Sequence, residues 1–189
     1  QTPTEAGRPN VCLDDLIMPE SKGINDRSGG FAATVDHDMT RGYDNDDYGK
    51  MLSQVLADRL AEGTAELTHL QVRRKYWGYA PNENLSIKEL HAERYQGIRP
   101  AVGYPSMPET SMNFLIDKLI NMGSIGIRLT ESGMMQPHAS TSGLMFAHPQ
   151  ARYFELGKIG EDQLIDYARR RQLPVGTIRR FLQSSLLKQ

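Results

Sequence analysis

The chain of 189 residues is 39% hydrophobic and 24% charged with a net charge of −1, which is typical of one soluble globular domain over residues 1–189. The balanced charge argues against a nucleic-acid-binding protein that works by broad electrostatic attraction, and no apolar run approaches the roughly 20 residues that span a membrane. The single cysteine, Cys12, excludes an internal disulfide and favours a reducing compartment, so we predict a cytoplasmic protein. From the charge and the short apolar runs we predict neither a nucleic-acid nor a membrane partner.

The N-terminal part of the chain predicts short elements. Residues 1–10 are polar and contain two prolines, which indicates a loop. The segment VCLDDLIMPE (11–20) predicts one apolar helical turn that Pro19 ends. The segment SGGFAATVDHD (28–38) predicts a strand through Phe31, Ala33 and Val35.

The clearest predicted element is a long helix that begins near Asp46. Acidic residues at its start and the basic run Arg73, Arg74 and Lys75 at its end have the order that the helix dipole favours. Large apolar residues recur along it at spacings of three and four, as in an amphipathic helix. These positions are Tyr48, Met51, Leu52, Val55, Leu56, Leu60, Leu67 and Leu70.

Helices and strands alternate irregularly in the rest of the chain. Ser86 and Glu89 match a capping box, which predicts a helix from Ile87 to about Tyr95, and a further amphipathic helix is predicted for residues 110–121. The segments GIRLTESGMM and SGLMFAHPQARYFELGKI predict strands, the second folded into a hairpin at HPQA. EDQLIDYARRRQL and PVGTIRRFLQSSLL predict two closing helices. The absence of a regular βαβ rhythm predicts an α+β fold.

Several kinds of chemistry have no pattern in this sequence. The chain lacks a phosphate-binding Walker loop, a Rossmann glycine motif and the G-x-S-x-G nucleophile turn. We therefore predict no metal site and no self-contained hydrolase. The five histidines show no spacing typical of metal ligands; they are His37, His69, His91, His138 and His148.

Two other features carry chemical groups in a defined arrangement. Asp58 and Glu62 lie four residues apart on the long helix, so both carboxylates project from one face. The stretch YQGIRPAVGYPSMPE, which we call the 95–109 loop, contains three prolines around Arg99 and Tyr104 and is therefore stiff. On spacing alone, the carboxylates also fit a solvated helix face, and the arginine also fits a surface ion pair in a structural loop.

Four segments of the chain carry a family resemblance, namely KYWGYAPNENLS, YQGIRPAVGYPSMPE, LTES and SG…FAHPQARYF. Together they strongly resemble the C-terminal activation domain of cobalamin-dependent methionine synthase. The signature of that family, Arg-x-x-x-Gly-Tyr, is present as Arg99, Gly103 and Tyr104. The likeness runs from VCLDDLI to DQLIDYARRR, and it implies an α+β fold with a twisted antiparallel sheet flanked by helices.

The resemblance implies that the chain binds S-adenosylmethionine (AdoMet) and supports reactivation of a methyltransferase of methionine biosynthesis. In that family, oxidation leaves the cobalamin (vitamin B12) cofactor as inactive cob(II)alamin, which reductive methylation by AdoMet restores. The implied partners are the cobalamin-binding domain of methionine synthase, which holds cobalamin outside this chain, and a flavodoxin or flavoprotein reductase as electron donor. The alternative is a non-catalytic docking module for a corrinoid protein or a flavodoxin-like donor.

The resemblance also assigns residues to the ligand. Arg99 is expected to bind the AdoMet carboxylate, and Tyr104, near the reacting methyl group, is the candidate catalytic residue. Tyr153 and Phe154 match a pair that is usually Tyr-Tyr, so Phe154 is expected to use its ring or backbone. Asp58 resembles an aspartate at the contact with the cobalamin domain. The predicted AdoMet-binding residues are Arg99, Ala101, Gly103, Tyr104, Tyr153, Phe154, Glu62 and Glu93, the two glutamates being assigned to the cationic end of the ligand.

The chain departs from the family pattern in its extent. The family domain is longer, and its N-terminal half supplies an aspartate for the AdoMet amino group that has no counterpart here. The cobalamin-binding signature Asp-x-His-x-x-Gly is absent, because the DHD at residues 36–38 does not supply it. We therefore expect either a C-terminal portion of the activation domain, lacking its N-terminal part, or a shortened homologue. In both cases we expect the isolated chain to be inactive and not to bind cobalamin alone.

Overall fold

The computed structural model describes residues 10–43 and 45–187. Its α-helices are α1 (Asp47–Gln71), α2 (Ile87–His91), α3 (Met112–Ile120), α4 (Glu161–Arg171) and α5 (Val175–Phe181), and short 3-10 or π-helical turns occur before, between and after them. Its strands are β1 (Gly29–Thr34), β2 (Arg128–Leu129), β3 (Met135–Gln136) and β4 (Ser140–Met145). Within those two ranges, no helix combines the length and the apolar character needed to cross a membrane.

The strands form two antiparallel pairs. β1 pairs with β4 in the register that places Phe31 opposite Gly143, and β2 pairs with β3. α1 packs on the β1–β4 pair through a core that includes Phe31, Ala65 and Met145, and α3 packs on it through a core around Ile116. The two cores use alternate residues of the strands, so the helices lie on opposite faces of the pair. The predicted α+β fold, with antiparallel strands flanked by helices, is confirmed.

Helix α1 is confirmed, but the side that packs on the strands is not the one that carries its large apolar residues. Asp46 caps it, because its carboxylate accepts the Gly49 N–H at 2.9 Å. An amphipathic helix normally turns its large apolar residues inward. Here the buried positions recur every four residues and are small or polar, namely Ser53, Ala57, Ala61, Ala65 and His69. We call the large residues that α1 leaves 46–70% exposed the apolar stripe; they are Tyr48, Met51, Leu52, Val55, Leu56, Leu60 and Leu67.

The predicted hairpin at residues 148–151 is wrong. β4 pairs with β1 instead, and residues 151–158 form no strand. Their backbone groups are bonded to the 95–109 loop: the Leu156 N–H donates to the Pro105 carbonyl at 3.0 Å, and Ser106 Oγ donates to the Phe154 carbonyl at 2.5 Å. These bonds replace the ladder that a hairpin would need.

Other predicted elements are present but shorter. The capping box of Ser86 and Glu89 starts α2 as predicted, but the helix ends at His91 rather than near Tyr95. Glu93 follows with a φ of +53°, a left-handed conformation that turns the chain out of the helix. The predicted strand around residues 126–135 is reduced to β2 and β3, which have two residues each.

Candidate functional site

A cavity of about 490 Å³ lies between α1, the turn after α2, the 95–109 loop and residues 153–155. Its volume is in the range of small-molecule sites. It brings together seven of the predicted ligand-binding residues, namely Glu62, Glu93, Arg99, Ala101, Tyr104, Tyr153 and Phe154. The 95–109 loop therefore forms one wall of a cavity.

The 95–109 loop is fixed to β4 by backbone hydrogen bonds. The Val102 N–H donates to the Ser142 carbonyl at 2.9 Å, and the Leu144 N–H donates to the Pro100 carbonyl at 3.1 Å. This close approach requires a glycine at position 143, since a Cβ there would lie 2.8 Å from the Ala101 Cα and closer still to the Pro100 carbonyl oxygen. The loop is therefore a preformed wall rather than a mobile segment.

Arg99 is already paired within the cavity wall. Its Nη2 lies 2.6 Å from Glu66 Oε2, and the arginine side chain is 15% exposed. Burial alone would lower the pKa of Arg99, but the hydrogen bond and the charge of Glu66 outweigh it and raise the pKa. Arg99 Nε and Glu66 Oε1 are buried without a partner in the described structure. Both residues line the cavity, so its wall carries a cation and an anion side by side.

Tyr104 is held by a second carboxylate of α1. Its hydroxyl donates to Glu62 Oε1 at 2.5 Å. This hydrogen bond, together with partial burial, raises the pKa of Tyr104 to about 12. The phenol therefore stays protonated at neutral pH, so it offers a ring face and an oriented hydroxyl but not a general base.

A network of hydrogen bonds and a cation–π contact holds the backbone of Arg99 in place. The Tyr153 hydroxyl accepts the Arg99 N–H at 3.0 Å and lies 3.4 Å from the Tyr95 hydroxyl. The Arg73 guanidinium stacks on the Tyr95 ring at 4.3 Å and binds Glu83 through two hydrogen bonds of 2.8 Å. The position of Arg99 therefore depends on Tyr153 and Tyr95 in the cavity wall and, behind Tyr95, on an ion pair that does not line the cavity.

His69 lies in this network and is expected to make stability pH-dependent. Burial, followed by the charges of Arg73 and Arg99, lowers the pKa of His69 to about 3. Below about pH 6.5, His69 binds a proton in the unfolded chain but not in the folded chain. The contribution of His69 to the free energy of unfolding is therefore complete above pH 6.5 and decreases as the pH falls toward 3. We expect the free energy of unfolding to drop by about 2 kcal/mol between pH 7.5 and 5.0.

Urea unfolding at a series of pH values measures this dependence on His69. The variant His69→Gln has no titrating group at this position, so its free energy of unfolding should be nearly constant over the same range. His138, which is 90% exposed, provides the control, and His138→Gln should keep the wild-type slope. An equal slope in wild type and His69→Gln would contradict the assignment.

Two predicted site residues do not line the cavity. Gly103 supports the loop instead, because its φ of +90° belongs to a turn in which its N–H donates to the Met107 carbonyl at 2.9 Å. Asp58 is exposed on α1, and its Oδ1 lies 3.9 Å from His138 Nδ1. Its position leaves it accessible to another domain.

Sequence reasoning missed eight lining residues, of which Glu66 is the most important. Asp58, Glu62 and Glu66 are spaced by four, so extending the carboxylate pair by one helical turn would have found it. Four of the other missed residues lie in the 95–109 loop, which the sequence singled out as a whole, and the remaining three reach the cavity only through the path of the chain. The seven residues are Leu90, His91, Tyr95, Pro100, Pro105, Ser106 and Glu155.

The fold and the cavity define an α+β domain with a cavity of small-molecule size, in whose lining four glutamates accompany one arginine. The family model described as "Vitamin B12 dependent methionine synthase, activation domain" matches residues 1–172. The chain therefore belongs to the activation domain family of vitamin B12-dependent methionine synthase.

A solved structure supports the same assignment. The chain superimposes on a MetH reactivation domain crystallised with AdoHcy at a TM-score of 0.92 and 44% sequence identity. The match covers 98% of this chain and 59% of the relative, so the chain spans little more than half of the solved protein. The family resemblance inferred from the four sequence segments is confirmed at the level of family and fold.

Proposed function

We propose that this chain binds AdoMet in the 490 Å³ cavity and supports the reductive methylation of cobalamin held by a separate domain. The observation that carries the proposal is the cavity wall, where Arg99 stands beside carboxylates and aromatic rings on a loop fixed to β4. The AdoHcy in the solved relative supports it, because AdoHcy is AdoMet without the transferred methyl group.

The charges of the cavity fit AdoMet. The ligand carries a carboxylate, an ammonium and a sulfonium, so its net charge is positive. Arg99 offers planar donors to the carboxylate, while Glu62, Glu66 and Glu93 attract the cationic groups. Tyr104, held by Glu62, presents its ring to the sulfonium or the adenine. We assign Tyr104 to orienting the methyl donor rather than to proton transfer.

The methyl transfer itself requires partners. Cobalamin, bound by its own domain, supplies the methyl-accepting centre, and a flavodoxin or flavoprotein reductase supplies the electron. The exposed carboxylate of Asp58 is our candidate for the contact with the cobalamin domain. We accordingly assign methyltransferase activity to the assembled cytoplasmic enzyme and expect none from the isolated chain.

Titration calorimetry with AdoMet and AdoHcy tests the ligand site. Replacing Arg99 with alanine removes a charged hydrogen-bond donor, so affinity should fall by about 1.5–3 kcal/mol, or roughly 10- to 150-fold. Arg179→Ala is the matched control, because it removes an arginine that is also paired with a glutamate but lies outside the cavity. Equal affinity in wild type and Arg99→Ala would contradict the site. No binding of either ligand, even to a longer chain that includes the rest of the domain, would favour the docking module.

A further inference from the structure

Glu66 is the cavity glutamate that is bonded to Arg99. Its Oε2 atom lies 2.6 Å from Arg99 Nη2, whereas Glu62, one helical turn earlier on α1, accepts the Tyr104 hydroxyl. Water has little access to the pair, since the side chains of Arg99 and Glu66 are only 15% and 30% exposed. A charge-assisted hydrogen bond of this length between shielded groups is a strong contact. Glu66 therefore acts directly on the arginine of the cavity lining.

The backbone is fixed at both ends of this contact. Glu66 follows Ala65, which is fully buried in the core between α1, β1 and β4, so this turn of the helix cannot shift without disrupting close packing. At the other end, the Arg99 N–H donates to the Tyr153 hydroxyl at 3.0 Å. Because neither backbone is free to move, the bond between the two side chains restricts where the guanidinium group can lie.

An arginine that lacked such a contact would bind a ligand less tightly. Its long side chain samples many rotamers, and a ligand that bound it would have to order that side chain. For one immobilised side chain of this kind, the ordering weakens affinity by roughly 2- to 12-fold. The bond to Glu66 orders the guanidinium of Arg99 before a ligand arrives.

The contact with Glu66 still leaves donors of Arg99 for a ligand. Among the described residues, the guanidinium is hydrogen-bonded through Nη2, and its Nε atom is enclosed without a partner. A guanidinium has five N–H donors, so those of Nη1 and the second hydrogen of Nη2 remain. Two neighbouring N–H groups of this kind match the two oxygens of a carboxylate. The Nη1 end of Arg99 is therefore the part suited to the carboxylate of a ligand.

We propose that Glu66 is a positioning residue of the ligand site, which holds Arg99 by Nη2 and so keeps its Nη1 end available to the carboxylate of AdoMet. This role rests on the proposed function, because the ligand carboxylate is the group that the positioned arginine binds. It comes in addition to the attraction between the charge of Glu66 and the cationic groups of the ligand. For a ligand without a sulfonium, the reach of the Glu66 side chain then matters more than its charge.

Two conservative variants separate reach from charge. Glu66→Asp keeps the charge but draws the carboxylate back by one methylene group, so AdoHcy affinity should fall by roughly 2- to 12-fold. Glu66→Gln has no charge but keeps the length and an oxygen that accepts the Arg99 hydrogen bond, so its affinity should stay within about twofold of wild type. Titration calorimetry with AdoHcy measures both variants, in the chain or in a longer chain that includes the rest of the domain.

The same substitution in the Arg99→Ala background tests whether Glu66 acts through the arginine. Without Arg99 there is no guanidinium to position, so adding Glu66→Asp to Arg99→Ala should change AdoHcy affinity by less than about twofold. Glu161→Asp is the matched control, because it shortens a glutamate that is paired with Arg179 outside the cavity, and it should bind as wild type does. Urea unfolding of each variant measures its stability alongside its affinity.

Three outcomes would overturn this role of Glu66 while leaving the proposed function in place. The first is that Glu66→Asp binds AdoHcy as tightly as wild type. The second is that Glu66→Gln is weakened as much as Glu66→Asp or more, which would show that charge rather than reach matters. The third is that Glu66→Asp costs the same factor with and without Arg99, which would show a direct effect on the ligand or the fold. Absence of AdoHcy binding to wild type, in the longer chain as well, would instead overturn the proposed function and this role with it.

Discussion

Replacing Glu83 with alanine is expected to destabilise the folded chain by about 3–5 kcal/mol. The Arg73 side chain is fully buried, and both of its bonded nitrogens depend on the two carboxylate oxygens of Glu83. Removing the carboxylate leaves the guanidinium charge of Arg73 buried without a counter-ion. The cation–π contact with the Tyr95 ring is weaker than the ion pair and replaces little of its attraction.

Urea unfolding measures the loss caused by Glu83→Ala. The double variant Arg73→Met, Glu83→Leu removes both charges and should recover most of the stability, because it leaves no unpaired ion. Glu161→Ala is the control, since it breaks an exposed pair with Arg179 and should cost less than about 1 kcal/mol. A loss below 1 kcal/mol for Glu83→Ala would show that water reaches Arg73.

The second large effect is expected at Gly143. Gly143→Ala places a Cβ 2.8 Å from both the Ala101 Cα and the Phe31 ring, and closer to the Pro100 carbonyl oxygen. These neighbours are mostly backbone, so they cannot move aside cheaply, and we expect a loss of about 2–3 kcal/mol. The same shift pushes the 95–109 loop off β4, so AdoHcy affinity should fall with stability.

The control for Gly143→Ala is another glycine of the same chain. Gly63 lies within α1 and has open space around its Cβ position, so Gly63→Ala should raise stability by about 0.5–1 kcal/mol. Urea unfolding and calorimetry with AdoHcy measure both quantities in each variant. Unchanged affinity in Gly143→Ala would contradict the role of β4 in shaping the cavity.

Local signals in the sequence were sufficient for the helices. The acidic start of α1, its periodicity and the Ser86–Glu89 capping box depend on residues a few positions apart, and both helices that they predict are present. The buried side of α1 could not be read in the same way. Periodicity shows which residues share a face, but what covers that face depends on elements that are distant in the sequence or belong to another segment.

Strand pairing was harder to predict for the same physical reason. The HPQA turn looked sufficient for a hairpin, but β4 pairs with β1, more than a hundred residues earlier in the chain. The site was predictable where the family motif falls, at Arg99 and Tyr104. It was not predictable at Glu66, because the pairing of Glu66 with Arg99 exists only after α1 and the loop are packed together.

The hydrogen bond from the Arg99 N–H to the Tyr153 hydroxyl shows that the Arg-x-x-x-Gly-Tyr motif does not fix the conformation of the loop by itself. The shape of the loop is set by Tyr153 and by the missing side chain at Gly143, both outside the motif. If a loop of identical sequence were grafted onto another scaffold, its arginine would not be held in the same position and orientation. A homologue that keeps the motif but has a larger residue at the position of Gly143 would therefore have a differently shaped ligand site.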